Sequence, residues 1–462
     1  MSFSSMSFIF AFLPIVLILY RITPHKYKNA LLLIASLFFY AWGNIWHALL
    51  LIMLILINFF LGIYIDHGFE NERKRRLIES VILNVVILAY FKYYGFFLNT
   101  IGSIVALPNY QLFTVPLGIS FFTFSILSYL IDVGRKKISA EYQLLPFALF
   151  VSFFPKLVMG PIEHYENMRK QFDDHPLTSE LFEQGCSRFL TGLAMKVILA
   201  NTMGSLWSQV NTLQLSALTA WLGILAYTLQ IYFDFKGYML MARGLANMFG
   251  FHISRNFYYP YMAFSITDFW RRWHITLSTW FKDYVYIPLG GNRKTIRITI
   301  RNLMIVWFLT GIWHGSSWNF ILWGSYYGIL LIIEKFVLQD FIKKLPKVVR
   351  WFYTILAVMV GWVLFVSKDM TIAIDYLKSM MMLKENVVMD QSFLFLLKEY
   401  GIYLLIGILC CTPFFTHLAQ QVAKKFYGQL WFLKPVITIS VWIILISYLL
   451  SNTYQSFLYF QF

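Results

Sequence analysis

Long apolar runs that do not alternate with polar residues constrain this chain more than any other feature of its sequence. They include segments 8–20, 48–65, 77–98 and 435–450, and several approach the roughly 20 residues with which a helix spans a bilayer. Backbone polar groups cannot stay unpaired in hydrocarbon, and barrel strands would alternate instead of running continuously. The sequence therefore predicts an all-α polytopic membrane protein with about ten to twelve spanning helices.

The composition supports a membrane protein and argues against a nucleic-acid partner. Hydrophobic residues make up 59% of the 462 residues and charged residues only 13%, whereas soluble domains carry about a quarter. A net charge of +16 would suggest nucleic-acid binding in a soluble protein. Here the basic residues lie in short loops between apolar runs, where they orient a membrane protein. We expect residues 1–462 to form a single membrane domain embedded in lipid.

The positions of the basic loops predict which side each loop faces. If the N-terminus lies outside, the clusters at 73–76, 135–137, 343–350 and 424–434 all lie in the cytoplasm, as the positive-inside rule requires. The tail, residues 452–462, is then extracytoplasmic. The first apolar run lacks a charged start and a cleavage site, which predicts a retained helix and not a signal peptide.

The three cysteines do not predict a metal site. Cys186, Cys410 and Cys411 have no histidine or cysteine spacing suited to zinc. We expect all three to be small buried residues, and no metal or resident cofactor is predicted.

Residues 255–301 interrupt the apolar pattern with basic and aromatic side chains. Their only acidic residues are Asp268 and Asp283. This combination suits an interfacial belt without chemistry, and it also suits the binding of phosphates from lipid head groups or from a nucleotide-bearing acyl donor. Ser265, three residues before Asp268, predicts the start of a helix that would bring Trp270, Trp273 and His274 within about one turn. The basic residues of the segment are Arg255, Arg271, Arg272, Lys282, Arg293, Lys294, Arg297 and Arg301.

A second polar interruption contains His314. It lies between the apolar runs 303–312 and 320–333, with Gly311 and Gly315 close by. Ionisable residues in membrane segments usually face protein or a water-filled cavity, and they often mark functional paths. Neutral histidine can remove a proton from a hydroxyl while that oxygen attacks an acyl thioester. We therefore favour His314 as a catalytic residue, while His274 could orient it, contact the donor or be hydrogen-bonded in the core.

These motifs together resemble a known enzyme family. The segments 269–274 (FWRRWH), 286–293 (YIPLGGNR) and 311–315 (GIWHG) resemble those of the membrane-bound O-acyltransferases, within which the chain is most similar to the membrane subunits of alginate O-acetyltransferases. Further matches lie at 38–42, 160–162 and 230–235. No serine-nucleophile elbow or Walker loop occurs, which argues against ordinary hydrolase and ATP-driven functions.

The resemblance implies a fold and a set of site residues. The fold would be a ring of about 11 transmembrane helices, with re-entrant and interfacial helices around a central tunnel and the core motifs within 230–330. The characteristic histidine of the family falls on His314 and its second polar residue on His274. The residues expected to line the tunnel or hold the donor are Arg271, Arg272, Trp273, Lys282, Trp313, Asn319 and Asp234.

The resemblance also implies a reaction. Cytoplasmic acetyl-CoA, as co-substrate, would donate an acetyl group that leaves on the outer side of a bacterial cytoplasmic membrane. An extracytoplasmic partner of the SGNH esterase type would complete transfer onto an exopolysaccharide or cell-wall polymer. Lys156, Glu163, His164 and Lys236 depart from the pattern of alginate-type relatives, which leaves the polymer open.

The aromatic tail suggests one further role. Residues 457–462 (FLYFQF) resemble the C-termini of alginate-type subunits and of small proteins in teichoic-acid D-alanylation. If the tail enters the tunnel, the phenol of Tyr459 could accept the acyl group as a covalent relay. An aromatic anchor at the membrane interface is the alternative.

Three other functions remain open from the sequence alone. The first is D-alanyl transfer to teichoic acid from a carrier-protein thioester. The second is acylation of a lipid or protein acceptor by the same chemistry. The third, a polysaccharide transporter or flippase, rests only on the helix number, because no convincing inverted repeat is visible.

Overall fold

The fold follows from the apolar runs, which become helices in the computed structural model. The structure describes residues 1–102, 114–384, 386–425, 433–451 and 457–458. Within these residues the only regular secondary structure is helical, and no strand occurs. The prediction of an all-α protein is therefore confirmed for the described part of the chain.

The α-helices are numbered in chain order. In the first half they are α1 Leu13–Ile22, α2 Lys28–Ala41, α3 Ile45–Asp66, α4 Glu70–Gly102, α5 Ile119–Gly134, α6 Leu144–Ser152, α7 Phe154–Leu157, α8 Tyr165–Asp173, α9 Ser179–Ala194, α10 Asn201–Val210 and α11 Ala217–Met248. In the second half they are α12 Ile266–Arg272, α13 Ile275–Phe281, α14 Ile296–His314, α15 Trp318–Phe336, α16 Gln339–Lys344, α17 Lys347–Val366, α18 Met370–Met380, α19 Gln391–Cys410, α20 Phe414–Lys425 and α21 Leu433–Ser451. Wider π-helical turns form Phe8–Phe12, Met195–Ala200 and Lys282–Tyr286, and 3₁₀ turns form His25–Tyr27 and Pro260–Met262.

Six helical stretches among the described residues are long and apolar enough to cross a membrane. They are α3, α4, the continuous stretch Ser179–Val210, α14, α17 and α19, and three shorter apolar helices are Phe8–Ile22, Ile119–Gly134 and Pro435–Ser451. The protein is therefore a multi-pass membrane protein. The ring, its helix number and its tunnel stay predictions.

One helix extends well beyond the apolar run that predicted it. The run 215–231 becomes α11, which continues to Met248 through Asp234, Lys236 and Arg243. Hydropathy alone ends the segment too early because it counts these charges as surface residues. Asp234 is 2% exposed, so the helix carries its charge inside the protein.

The described residues form two compact units. The first comprises Met1–Phe189, Tyr238–Arg255 and Lys282–Tyr284. Phenylalanines dominate its core, and the ring of Phe154 lies 5.6 Å from Phe39 and 5.5 Å from Phe12. Asn58 of α3 and Asn84 of α4 exchange hydrogen bonds of 3.1 and 2.7 Å between their side chains. These two buried amides therefore supply hydrogen-bond partners for each other.

The second unit comprises Leu190–Gly237, Asn256–Phe281 and Val285–Phe462. Within it α14 and α15 form a close antiparallel pair joined by Gly315 to Ser317. Two facing glycines make the approach possible, because a Cβ on Gly324 would lie 3.0 Å from Gly311 Cα and closer still to the Trp307 carbonyl. Small residues at such crossings let membrane helices approach closely.

The cysteines only partly match the expectation of burial. Cys411 is buried and Cys410 is half-buried, but Cys186 is exposed. The prediction for Cys186 was wrong because α9 turns this position away from the core, whereas its neighbour Gly185 packs against Gly244.

Alanine at Gly311 or Gly324 should destabilise the α14–α15 pair. A methyl group at either position meets backbone atoms that cannot move aside, and overpacking of this kind costs about 1–3 kcal/mol. Thermal unfolding in detergent measures the loss. Gly401→Ala on α19 is the matched control, because its nearest neighbour lies 4.0 Å away. Equal stability of all three variants would contradict the close packing.

Candidate active site

The site begins with α12, whose start the sequence predicts correctly. The Ser265 hydroxyl accepts a 3.0 Å hydrogen bond from the Asp268 backbone N–H, as an N-cap residue does. The helix ends at Arg272, and Trp273 adopts an extended backbone. His274 therefore lies in the junction before α13 and does not share a helical turn with Trp270, so that expectation was wrong.

His274 is held in a backbone conformation that residues other than glycine seldom adopt. Its φ is +46°, which costs conformational energy and persists only when the surroundings enforce it. Asn256 enforces it from the neighbouring loop. Its carbonyl accepts a 3.1 Å hydrogen bond from Ile275 N–H, and its side-chain oxygen accepts one of 2.8 Å from Thr276 N–H.

The His274 imidazole is 1% exposed and lies among aromatic rings. Its ring centroid is 4.8 Å from that of Phe235 and 5.9 Å from that of Trp313. Burial disfavours the charged form and lowers the pKa of His274 to about 3. The side chain is therefore neutral at physiological pH.

His314 is the last residue of α14 and is also enclosed by aromatic rings. The centroid of its ring lies 4.8 Å from Trp313, 4.8 Å from Trp323 and 5.4 Å from Phe365, each ring meeting it edge to face. The side chain is 6% exposed. The two predicted histidines thus share Trp313 as a neighbour, and this part of the site is assembled from α11, α14, α15, α17 and the junction before α13.

A buried carboxylate that sequence analysis missed fixes α12 in place. Glu334 of α15 accepts hydrogen bonds from Ile266 N–H at 2.7 Å, from Thr267 N–H at 2.9 Å and from the Thr267 hydroxyl at 2.6 Å. A carboxylate at a helix N-terminus also complements the helix dipole. The available signal was a lone acidic residue at the end of the apolar run 320–333, which the rarity of such residues in membrane segments marks.

The predicted donor-binding residues fall into two groups. Trp273 and Trp313 are buried, whereas Arg271 is exposed at the protein surface. Arg272 forms a 2.8 Å ion pair with Asp268 one turn earlier on α12. Lys282 belongs to the first unit, with a side chain that is 63% exposed and 3.8 Å from Asp283.

Asn319 and Asp234 have structural partners of their own. The Asn319 side-chain amide donates a 2.6 Å hydrogen bond to the Ser367 carbonyl, which ties the start of α15 to the end of α17. Asp234 forms a 2.6 Å ion pair with Lys196. Tyr459 lies outside the described residues, so its relay role stays a prediction.

The family is established by comparison with known sequences. Residues 32–372 match the family model of MBOAT, the membrane-bound O-acyltransferase family. The chain belongs to this family and is therefore a membrane-embedded acyltransferase.

Individual relatives show which members of the family the chain is similar to. The chain is 41% identical over 381 residues to the probable alginate O-acetylase of Pseudomonas aeruginosa, covering 81% of this chain and 73% of that protein. It is 38% identical over 417 residues to the peptidoglycan O-acetyltransferase of Helicobacter pylori, covering 82% and 79%. It is 31% identical over 240 residues to the teichoic acid D-alanyltransferase of Streptococcus thermophilus, covering 47% of this chain and 56% of that protein.

Replacing Glu334 should loosen α12 and impair the enzyme. In Glu334→Ala the N–H groups of Ile266 and Thr267 lose their buried acceptor, and each unsatisfied group costs about 1–3 kcal/mol. We expect lower thermal stability in detergent and reduced acyl transfer. Glu79→Gln is the control, because that side chain is exposed and its ion pair with Arg75 contributes little. A Glu334→Ala protein as stable as the control would contradict this role.

Proposed function

We propose that this protein takes an acetyl group from cytoplasmic acetyl-CoA and passes it across the bacterial cytoplasmic membrane for O-acetylation of an extracytoplasmic polysaccharide. The observation that carries the proposal is the buried His314 imidazole in its aromatic enclosure at the end of α14. Similarity to a probable alginate O-acetylase and to a peptidoglycan O-acetyltransferase over four fifths of the chain supports acetyl as the group transferred.

His314 acts as the general base in this mechanism. The acceptor hydroxyl oxygen attacks the thioester carbonyl carbon, and its proton passes to the neutral imidazole. The carbon–sulfur bond then breaks, and the imidazolium returns the proton to the departing thiolate. The surrounding rings exclude water, so the thioester reacts with the acceptor and not by hydrolysis.

His274 serves as a neutral positioning group. Because its ring stays uncharged at physiological pH, it does not repel the imidazolium that forms at position 314. Its contact with Trp313 places it where it can hold that indole, which is also a wall of the His314 enclosure. The enforced backbone at His274 fixes this contact before the substrate arrives.

The donor's phosphates are assigned to the exposed basic side chain Arg271. A guanidinium at the protein surface can form charge-assisted hydrogen bonds to phosphate oxygens. Arg272 is a weaker candidate because Asp268 already pairs with it.

An SGNH-type extracytoplasmic protein completes transfer onto an exopolysaccharide or a cell-wall polymer. The named acceptors of the relatives include both alginate and peptidoglycan, which supports the polymer class and not one polymer. D-alanyl transfer is the second candidate, and it is supported by the more distant teichoic acid enzyme.

Replacing His314 should abolish acyl transfer without unfolding the protein. Loss of a general base lowers the rate by about 10²–10⁴-fold, so His314→Ala should release almost no CoA from acetyl-CoA in the presence of the partner and polymer. The exposed His417→Ala on α20 is the control. Offering a D-alanyl carrier-protein thioester in parallel identifies the donor, and full activity of His314→Ala with either donor would refute the proposed base.

The tail relay makes a separate prediction. If Tyr459 carries the acyl group, intact-protein mass spectrometry under turnover should detect an acylated chain, and Tyr459→Phe should abolish both the adduct and the transfer. Tyr454→Phe, in the same tail, should retain both. If Tyr459→Phe stays active and no acylated chain is detected, the relay is excluded, and the tail is only an anchor at the membrane interface.

A further inference from the structure

The second unit contains a buried ion pair on irregular helix geometry. Lys196 Nζ lies 2.6 Å from Asp234 Oδ1, and the two side chains are 4% and 3% exposed. Lys196 belongs to the π-helical turn Met195–Ala200 between α9 and α10, and turns of this kind occur frequently at functional sites. Asp234 lies on α11. Close by, Gly237 allows α11 to approach the Gly192 carbonyl, which a Cβ would meet at 2.7 Å.

Stability alone is a weak explanation for this ion pair. Burying two charges carries a desolvation penalty that their mutual attraction often offsets only in part. Well-packed apolar residues in their place often give a fold of equal stability. Each member of the pair can make a further contact, because a carboxylate has a second oxygen and an ammonium group can face an aromatic ring.

The C-terminal segment makes both of these contacts. The Leu458 backbone N–H donates a 2.9 Å hydrogen bond to Asp234 Oδ2. The Phe457 ring, which is fully buried, lies with its centroid 4.7 Å from Lys196 Nζ. Two consecutive tail residues therefore contact the two partners of one ion pair, one through the main chain and one through an aromatic face.

We propose that the Lys196–Asp234 pair is a binding site for the chain's own C-terminal segment, recognising an aromatic side chain followed by a main-chain N–H. The carboxylate accepts a hydrogen bond from the main chain, and the ammonium group contacts the face of the aromatic ring. A segment with proline in place of Leu458 would lack the donated hydrogen, and one with a small residue in place of Phe457 would lack the ring. The anchor itself does not depend on acyl transfer. Only a role of this anchor in the acyl relay rests on the proposed function.

The alternative is an ion pair that merely joins two helices, and exchanging the two residues separates these roles. In Lys196→Asp/Asp234→Lys the ion pair can form again, but the carboxylate moves from α11 to the π-helical turn. Helix joining would be restored by the exchange, whereas tail binding would be lost. The apolar variant Lys196→Met/Asp234→Leu removes both the charge and the acceptor, so it should also release the tail.

Chemical labelling of Leu458→Cys measures the anchor directly. In a background with Cys186, Cys410 and Cys411 replaced by alanine, we compare the rate at which a maleimide modifies position 458 in purified protein. Loss of a hydrogen bond to a charged acceptor should raise this rate by about ten-fold or more in the exchanged and the apolar variants. Asn58→Leu/Asn84→Leu, which removes another buried side-chain pair, should label like the parent.

Each outcome decides the inference. A parental labelling rate in the exchanged variant, or in the apolar variant should the exchanged one fail to fold, would overturn the tail-binding site. The assay needs neither donor nor acceptor, so its failure is distinct from failure of the proposed reaction. If the tail stays anchored and the Tyr459→Phe variant is active, the tail-binding site is supported and the acyl relay is excluded.

Discussion

Hydrocarbon offers no hydrogen bonds, so every polar group that this chain carries into the membrane needs a partner within the protein. The Glu334 carboxylate shows what this constraint does for the site. It accepts the N–H groups at the start of α12, and in doing so it fixes the short helix that leads to His274. The same requirement explains the paired Asn58 and Asn84 side chains. The hydrogen bonds that satisfy the buried Glu334 carboxylate therefore also set the geometry of the site.

Aromatic rings form the walls around the predicted catalytic histidine. The His314 imidazole is enclosed by Trp313, Trp323 and Phe365, which present fixed surfaces and few rotatable bonds. Such walls favour a single orientation of the imidazole and keep bulk water away from it. A reactive thioester benefits from both properties, because its competing reaction is hydrolysis.

Periodicity and capping predicted a large part of the fold and less of the site. The apolar runs became α3, α4 and α21, and Ser265 capped α12 as its position before Asp268 indicates. The polar interruption at Gly315 became the turn between α14 and α15. Hydropathy could not anticipate that α11 continues past Asp234, because it treats a paired charge and an unpaired charge alike.

The residues that sequence analysis missed act over long separations in the chain. Glu334 holds Ile266, and Asn256 holds the backbone around His274. These partners have no common motif, since one contact arises when α15 packs beside α12 and the other when a loop folds against the start of α13. The left-handed backbone of His274 was equally hidden, because histidine at that position gives no signal of the kind that glycine gives.

The spacing of two residues along α15 has a consequence for how this family of sequences can vary. Trp323 touches His314, and Glu334 holds α12. Eleven residues make three turns with about 20° to spare, so both side chains leave the same face of one rod about 16 Å apart. A single inserted or deleted codon between them would rotate one against the other by about 100°. Insertions and deletions should therefore occur in the loops around α15 and be rare within the helix itself.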